Sequence, residues 1–173
     1  MSESTQNIVT PWDVQGTVDY EKIVALFGAE TIDQKLIFDI EKRTRRRAHH
    51  FLRRGIFFAH RDLNQLLAST DDFFLYTGRG PSSNLHFGHL VPLLFTKYLQ
   101  ESFDAPLVFQ MTDDEKFLFK SLSLDDTNQY AIDNAKDILA LGFDVDRTFI
   151  FQNTRYVQRL YPNVLKIQRQ VNA

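Results

Sequence analysis

Cysteine is absent from the 173 residues, which excludes disulfides, thiolate zinc sites and a cysteine nucleophile. No apolar run approaches the length needed to cross a bilayer. An excess of positive charge is also missing: 20 Lys and Arg against 22 Asp and Glu leave a formal net charge of -2. That balance excludes a uniformly basic nucleic-acid coat and leaves a local RNA-binding face open. There is no Gly-Lys-Ser/Thr phosphate loop, no usual dinucleotide fingerprint and no His-Glu-x-x-His metal motif. Residues 1–9 are polar, without the apolar core of a signal peptide or the acid-free basic pattern of a transit peptide. A soluble cytoplasmic protein without membrane partners is therefore expected. With 43% apolar residues, the chain can bury one medium core, with or without an extension.

Residues 1–10 read as a frayed, disordered tail, 11–70 as an N-terminal extension and 71–173 as an α/β domain. Helices are expected over Asp19–Phe27 and Thr31–Lys42, the second with Ile32, Leu36, Ile37 and Ile40 on one side. Between Glu41 and Arg61 lie eight basic residues and one acidic one, interleaved with Phe51, Leu52, Ile56, Phe57 and Phe58. Such a block suits nucleic acid or nucleotide phosphate, and equally a solvated helix end. After a short polar helix over Arg61–Ala68, the period changes. Phe73–Tyr76, Pro106–Met111 and Thr148–Phe151 read as buried strands, with residues 77–83 unable to continue the first. Helices are expected over Leu90–Phe103 and Asp125–Leu141, the latter with Tyr130, Ile132, Ala135, Ile138 and Leu139 on one side and closed by Gly142. Strands alternating with helices predict a parallel sheet with crossover connections. After the third strand a Tyr-Pro turn and one further helical turn are expected.

Ligands of parallel sheets bind beyond the carboxyl ends of the strands, and two unusual segments fall there. Residues 77–88 hold three glycines, Arg79, two serines and His86, with His89 just beyond. Glycines admit a ligand close to the backbone, and the following helix start offers N–H groups to phosphate. His86 and His89 share a face if this is a helix turn, and can donate to phosphate oxygens or to charge developing on a leaving pyrophosphate. A metal site would need a third ligand, which Asp113, Asp114 or Glu115 could supply; surface histidines on a Gly-rich loop are the plain alternative. The second segment, Thr112 to Lys116, places three carboxylates and an ammonium at a strand end. It suits capture of an ammonium group, helix capping or metal orientation, with Lys116 able to neutralise phosphate.

Phe73 to Pro92, FFLYTGRGPSSNLHFGHLVP, resembles the signature region of eukaryotic-type tryptophanyl-tRNA synthetases, and His86-Phe87-Gly88-His89 resembles the HxGH motif of class I synthetases. The likeness continues through residues 95–100, Val108–Lys116, Asn134–Ile138, Gly142–Asp144 and Thr148–Phe151. Upstream, Thr10–Val14 and His49–Gly55 resemble the extension before that family's catalytic domain. The resemblance implies the first half of a Rossmann-like nucleotide-binding fold with a mainly helical N-terminal extension. It implies activation of L-tryptophan by ATP with Mg²⁺, charging of tRNA(Trp), and a homodimer in the full-length form. By the same resemblance Tyr76 and Gln110 would read the indole, with Thr112 also in the substrate site and Glu115 near the amino group. Thr77, Gly78, Arg79, Gly80 and Gly88 would hold the nucleotide, while His86, His89 and Lys116 would serve the phosphates. No protein-held metal is implied.

Two departures accompany the likeness. No KMSKS-like run, the family's second signature, occurs in this sequence, and residues 151–156 (FQNTRY) replace the acidic segment common after this strand. Catalysis by these 173 residues alone is therefore expected to be weak or absent. The alternatives are a non-catalytic half-domain that binds nucleotide, tryptophan or a partner, and another nucleotidyl transferase with an HxGH loop.

Overall fold

The computed structural model describes residues 24, 26–69 and 72–171, together with the backbone of 8–9 and 14–15. The chain divides into two compact units, Met1–Thr70 and Asp71–Ala173. The tail expected over 1–10 lies outside the described residues except at Ile8–Val9 (β1), which pairs antiparallel with Val14–Gln15 (β2). The helix expected over Asp19–Phe27 also lies largely outside them; Val24 and Leu26 are helical.

In the first unit Glu30–Thr31 (β3) pairs antiparallel with Ala59–His60 (β4). This pairing corrects the helix start expected at Thr31. The helix α1 instead begins after Asp33, whose Oδ1 accepts the Leu36 N–H at 2.7 Å, and covers Gln34–Thr44. Such a cap is worth about 1 kcal/mol. Leu36, Ile37 and Ile40 are buried, whereas Ile32 precedes the helix and gives its N–H to Phe58 O. Arg45, at φ 55°, ends α1 in the left-handed region. Next, α2 (His50–Arg53) buries Phe51 and Leu52, and α3 occupies Leu63–Ala68.

The second unit carries Leu75–Arg79 (β5), Phe87–Phe103 (α4), Leu107–Met111 (β6), Asp113–Phe119 (α5), Leu124–Ala140 (α6), Thr148–Gln152 (β7) and Asn153–Gln168 (α7). The three strands form a parallel sheet in the order β5-β6-β7, so the expected α/β class holds. The central strand is the most hidden: Leu107, Phe109 and Met111 are buried and join Leu93, Ala131, Ile138 and Phe143 in the core. Each large member contributes about 1.5–3 kcal/mol through burial. Gln100, buried on α4, donates to Thr148 Oγ1 at 2.9 Å and accepts the Asp144 N–H at 3.1 Å, tying the helix to the entry of β7.

Four expectations need correction. First, β5 runs on through Thr77, Gly78 and Arg79, and starts at Leu75. Gly78 stands opposite Gln110, where a Cβ would lie 2.8 Å from the Gln110 carbonyl oxygen. That glycine permits tight strand pairing; it does not break the strand. Second, β5 is half covered, not buried, because it is an edge strand; Phe74 and Tyr76 are exposed. Third, the buried stripe of α6 is Thr127, Ala131, Asn134 and Ile138, so two polar residues face inward while Leu139 is exposed. Hydrogen bonds make this possible, Thr127 Oγ1 donating to Leu124 O at 3.1 Å. Fourth, α7 is a helix of 16 residues in place of a turn, and it retains Pro162 inside. All of its side chains are at least partly exposed, so water is available to the backbone carbonyl that proline leaves without a donor.

Candidate active site

The segment after β5 leads into α4, and its histidines form the helix cap. His86 is the N-cap residue: its Nδ1 accepts the Gly88 N–H at 3.2 Å, while His89 Nδ1 accepts the His86 N–H, also at 3.2 Å. The expected helix start at Leu90 is thus moved back to Phe87 by a reciprocal capping box built from imidazoles. The caps dictate the tautomer. Each Nδ1 must be an acceptor, so each neutral ring carries its proton on Nε2 and offers it outward. The two rings lie 3.7 Å apart. Burial, then the charge of Arg79, then His86 lower the His89 pKa, which favours the neutral donor form. Gly88 is part of this cap, since a Cβ there would sit 3.0 Å from His86 Cε1.

A cleft of about 350 Å³ opens beside the cap, lined by Thr77, Gly78, Arg79, Gly80, His89 and Lys116 among others. Gly80 forms its close floor: a Cβ there would fall 1.8 Å from Lys116 Cε, so the lysine lies across bare backbone. Arg79, which lines the cleft, is also tied into the segment around it. Its Nε donates to Asn134 Oδ1 and its Nη2 to Ser83 O at 3.2 Å. Asn134 Nδ2 also donates to Ser83 O, at 3.0 Å. Arg79, Asn134 and Ser83 therefore form a closed triangle that shapes the glycine-serine segment. Burial lowers the Arg79 pKa, though a guanidinium stays charged throughout the neutral range.

A second polar cluster spans β5, β6, α5 and α7. Tyr76 donates its hydroxyl proton to Gln110 Oε1. Gln110 Nε2 donates to Asn153 Oδ1 at 2.7 Å, and Asn153 Nδ2 donates to Asp114 Oδ1 at 2.9 Å. Buried Asp113 accepts from both the backbone N–H and the hydroxyl of Thr154. The segment expected as an acidic loop is in fact the start of helix α5, where its carboxylates favour the positive end of the helix. Glu115 accepts from Thr112 Oγ1 at 2.9 Å and pairs with Lys116 at 2.7 Å. These contacts, the lysine first, hold its carboxyl below the usual range.

Gly78 and Gln110 are register partners, so the cleft and the Tyr76–Gln110 pair share one strand pair. His86, Gly88, Thr112 and Glu115 stand outside the lining of the cleft. Asn134, Asn153 and Thr154 were missed as site-building residues by reading the sequence. The expected apolar stripe of α6 did not include Asn134, so its inward position became visible only in the structure.

Residues 68–171 match the family of tRNA synthetases class I (W and Y). The chain belongs to that family. It is 56% identical over 179 residues to the cytoplasmic tryptophan–tRNA ligase of Dictyostelium discoideum, an alignment covering 99% of the chain and 45% of that protein. The tryptophanyl-tRNA synthetase structure from Plasmodium falciparum superposes with a TM-score of 0.84 at 49% identity, covering 90% of the chain and 44% of its counterpart. A tryptophan-bound tryptophanyl-tRNA synthetase from Encephalitozoon cuniculi superposes with a TM-score of 0.82 at 49% identity, over 89% and 47% of the two chains. The chain thus spans less than half the length of these relatives, and shares their class I Rossmann-like fold over that span.

Proposed function

We propose that the chain is the amino-acid-activating half of a cytoplasmic tryptophan–tRNA ligase, with residues 71–173 part of its catalytic domain and 11–70 its extension. The full-length form would act as a homodimer on L-tryptophan, ATP and tRNA(Trp). One juxtaposition carries this reading: a glycine-floored cleft with His89 and Lys116 lies on the same strand pair as Tyr76–Gln110. The high identity to tryptophan–tRNA ligases supports it.

The arrangement suits adenylate formation without a protein nucleophile. The tryptophan carboxylate attacks the α-phosphorus, forming the acyl–phosphate bond. The bond from that phosphorus to the bridging oxygen breaks, and pyrophosphate leaves with the electron pair. The protein contributes position and charge stabilisation. Nε2–H groups of His86 and His89 would donate to phosphate oxygens, with Lys116 adding a point charge over Gly80. Thr77, Gly78, Gly80 and the segment held by Arg79 would enclose the nucleotide. Tyr76 spends its proton on Gln110, so its oxygen keeps lone pairs to accept the indole N–H. A pocket that recognises a hydrogen-bonding edge discriminates more strongly than an apolar slot. Glu115, already ionised, suits the substrate ammonium.

Mg²⁺ carried by the triphosphate would neutralise its charge. Asp113 is engaged by Thr154 and Asp114 by Asn153, and no group of three potential ligands gathers among the described residues. That donor set fits an ion held mainly by phosphate.

The test is tryptophan-dependent ATP–pyrophosphate exchange by the purified chain, run beside binding of a tryptophanyl-adenylate analogue. Analogue binding that prefers tryptophan over tyrosine is expected, with exchange weak. Absence of any preference would refute the tryptophan assignment. Binding without exchange would match the non-catalytic alternative, which the missing KMSKS-like run favours for these residues alone.

A further inference from the structure

The basic block lies in the first unit, whereas the cleft and polar cluster just described are built from residues of the second. Lys42 and Arg43 lie in the last turn of α1, Arg45 is its left-handed cap, and Arg46 and Arg47 follow. All five are exposed. They line two clefts. One, of about 530 Å³, is bounded by Asp39, Lys42, Arg43 and Arg45 with Asn64 and Leu67 of α3. The other, of about 320 Å³, is bounded by Glu41, Arg45, Arg46 and Arg47. Arg45 belongs to both.

A solvated helix end explains only part of this. Cations in the last turn complement the helix dipole, and Lys42 and Arg43 already do so. Arg45 at the cap and Arg46 and Arg47 beyond it repel one another and gain little from that dipole. Among the described residues, Lys42, Arg43, Arg45 and Arg47 make no ion pair, and Arg43 reaches only the Ser69 carbonyl, at 3.5 Å. The nearest carboxylate in sequence, Glu41, accepts the Ala48 N–H at 2.8 Å. Exposed His50, Arg53 and Arg54 extend the positive face, and their field is felt: after burial, His50 and Arg53 lower the His49 pKa.

We infer that the face formed by Lys42, Arg43 and Arg45–Arg47 binds the phosphodiester backbone of RNA, with successive phosphates in the two clefts that share Arg45. Arginine forks match phosphate oxygens in paired hydrogen bonds. Two adjoining clefts suit a polymer better than a single phosphate. No aromatic side chain lines either cleft, so the contact reads backbone rather than bases. The concave shape favours a strand over a flat anionic membrane. The choice of RNA rests on the tRNA ligase reading above.

The experiment is fluorescence anisotropy of labelled tRNA(Trp) transcript with the purified chain between 50 and 200 mM salt, against the triple variant Arg43→Gln, Arg45→Gln, Arg47→Gln. The variant is expected to bind at least about tenfold more weakly at low salt, with a log–log salt slope shallower by about 2–3. An unrelated tRNA should lose affinity equally. Its thermal midpoint should match wild type, since all three side chains are exposed. Unchanged affinity and slope, no RNA binding at all, loss confined to tRNA(Trp), or stronger binding to phosphatidylserine vesicles than to RNA would each overturn the assignment. Pyrophosphate exchange requires no tRNA. Variant-sensitive RNA binding without tryptophan preference would therefore sink the ligase reading and leave this surface standing.

Discussion

Replacing Asn134 with Ala tests whether the glycine-serine segment is held by the triangle under it. The amide is fully buried, accepts from the Arg79 guanidinium and donates to Ser83 O at 3.0 Å. A hydrogen bond to a charged group is worth about 1.5–3 kcal/mol and a neutral one about 1 kcal/mol. Arg79 retains Ser83 O at 3.2 Å and is only half-buried, so water offsets part of the loss. About 2–3 kcal/mol of destabilisation of the second unit remains. For a unit of this size that corresponds to a fall in thermal midpoint of about 8–20 °C. The single tryptophan, Trp12, belongs to the first unit, so indole fluorescence is a poor probe of the second. Far-UV circular dichroism and hydrogen exchange over residues 78–90 and 124–140 are the suitable assays. A cycle with Arg79→Ala should give a coupling of at least about 1 kcal/mol. A loss below about 0.5 kcal/mol, or a coupling near zero, would refute the triangle as the organiser of this segment.

Asn153→Ala should free Gln110 to turn its amide, and so reduce the preference for a tryptophanyl- over a tyrosyl-adenylate analogue by about threefold to tenfold, the worth of one neutral hydrogen bond. Unchanged preference by calorimetry would contradict the positioning role. His89 should remain neutral below the ordinary histidine value of 6.5, because its folded pKa is lowered. As pH falls through 6.5 the unfolded chain takes up this proton first, so stability present above 6.5 declines until the folded pKa is passed. An NMR titration of His89 at or above 6.5, or stability rising on acidification only when His89 is present, would reverse that sign.

The strand–helix alternation and the HxGH turn were legible because they are local: period, turn chemistry and residue type sit side by side in the chain. The sequence by itself determined the α/β class and the family likeness. Boundaries proved harder wherever a tertiary partner outweighed local preference. Thr31 entered a strand because Ala59 was there to pair with it, and Gly78 stayed in a strand because the Gln110 backbone comes so near. Roles were hardest of all. Arg79 reads as a residue that holds the nucleotide, and nothing in its own segment tells that an amide 55 positions later engages its Nε. Gln110 likewise acquires its orientation from Asn153, 43 positions on. Only the tertiary structure decides such pairings, because a hydrogen bond depends on which donors and acceptors the packed elements bring within about 3 Å, a distance that residue spacing along the chain does not encode.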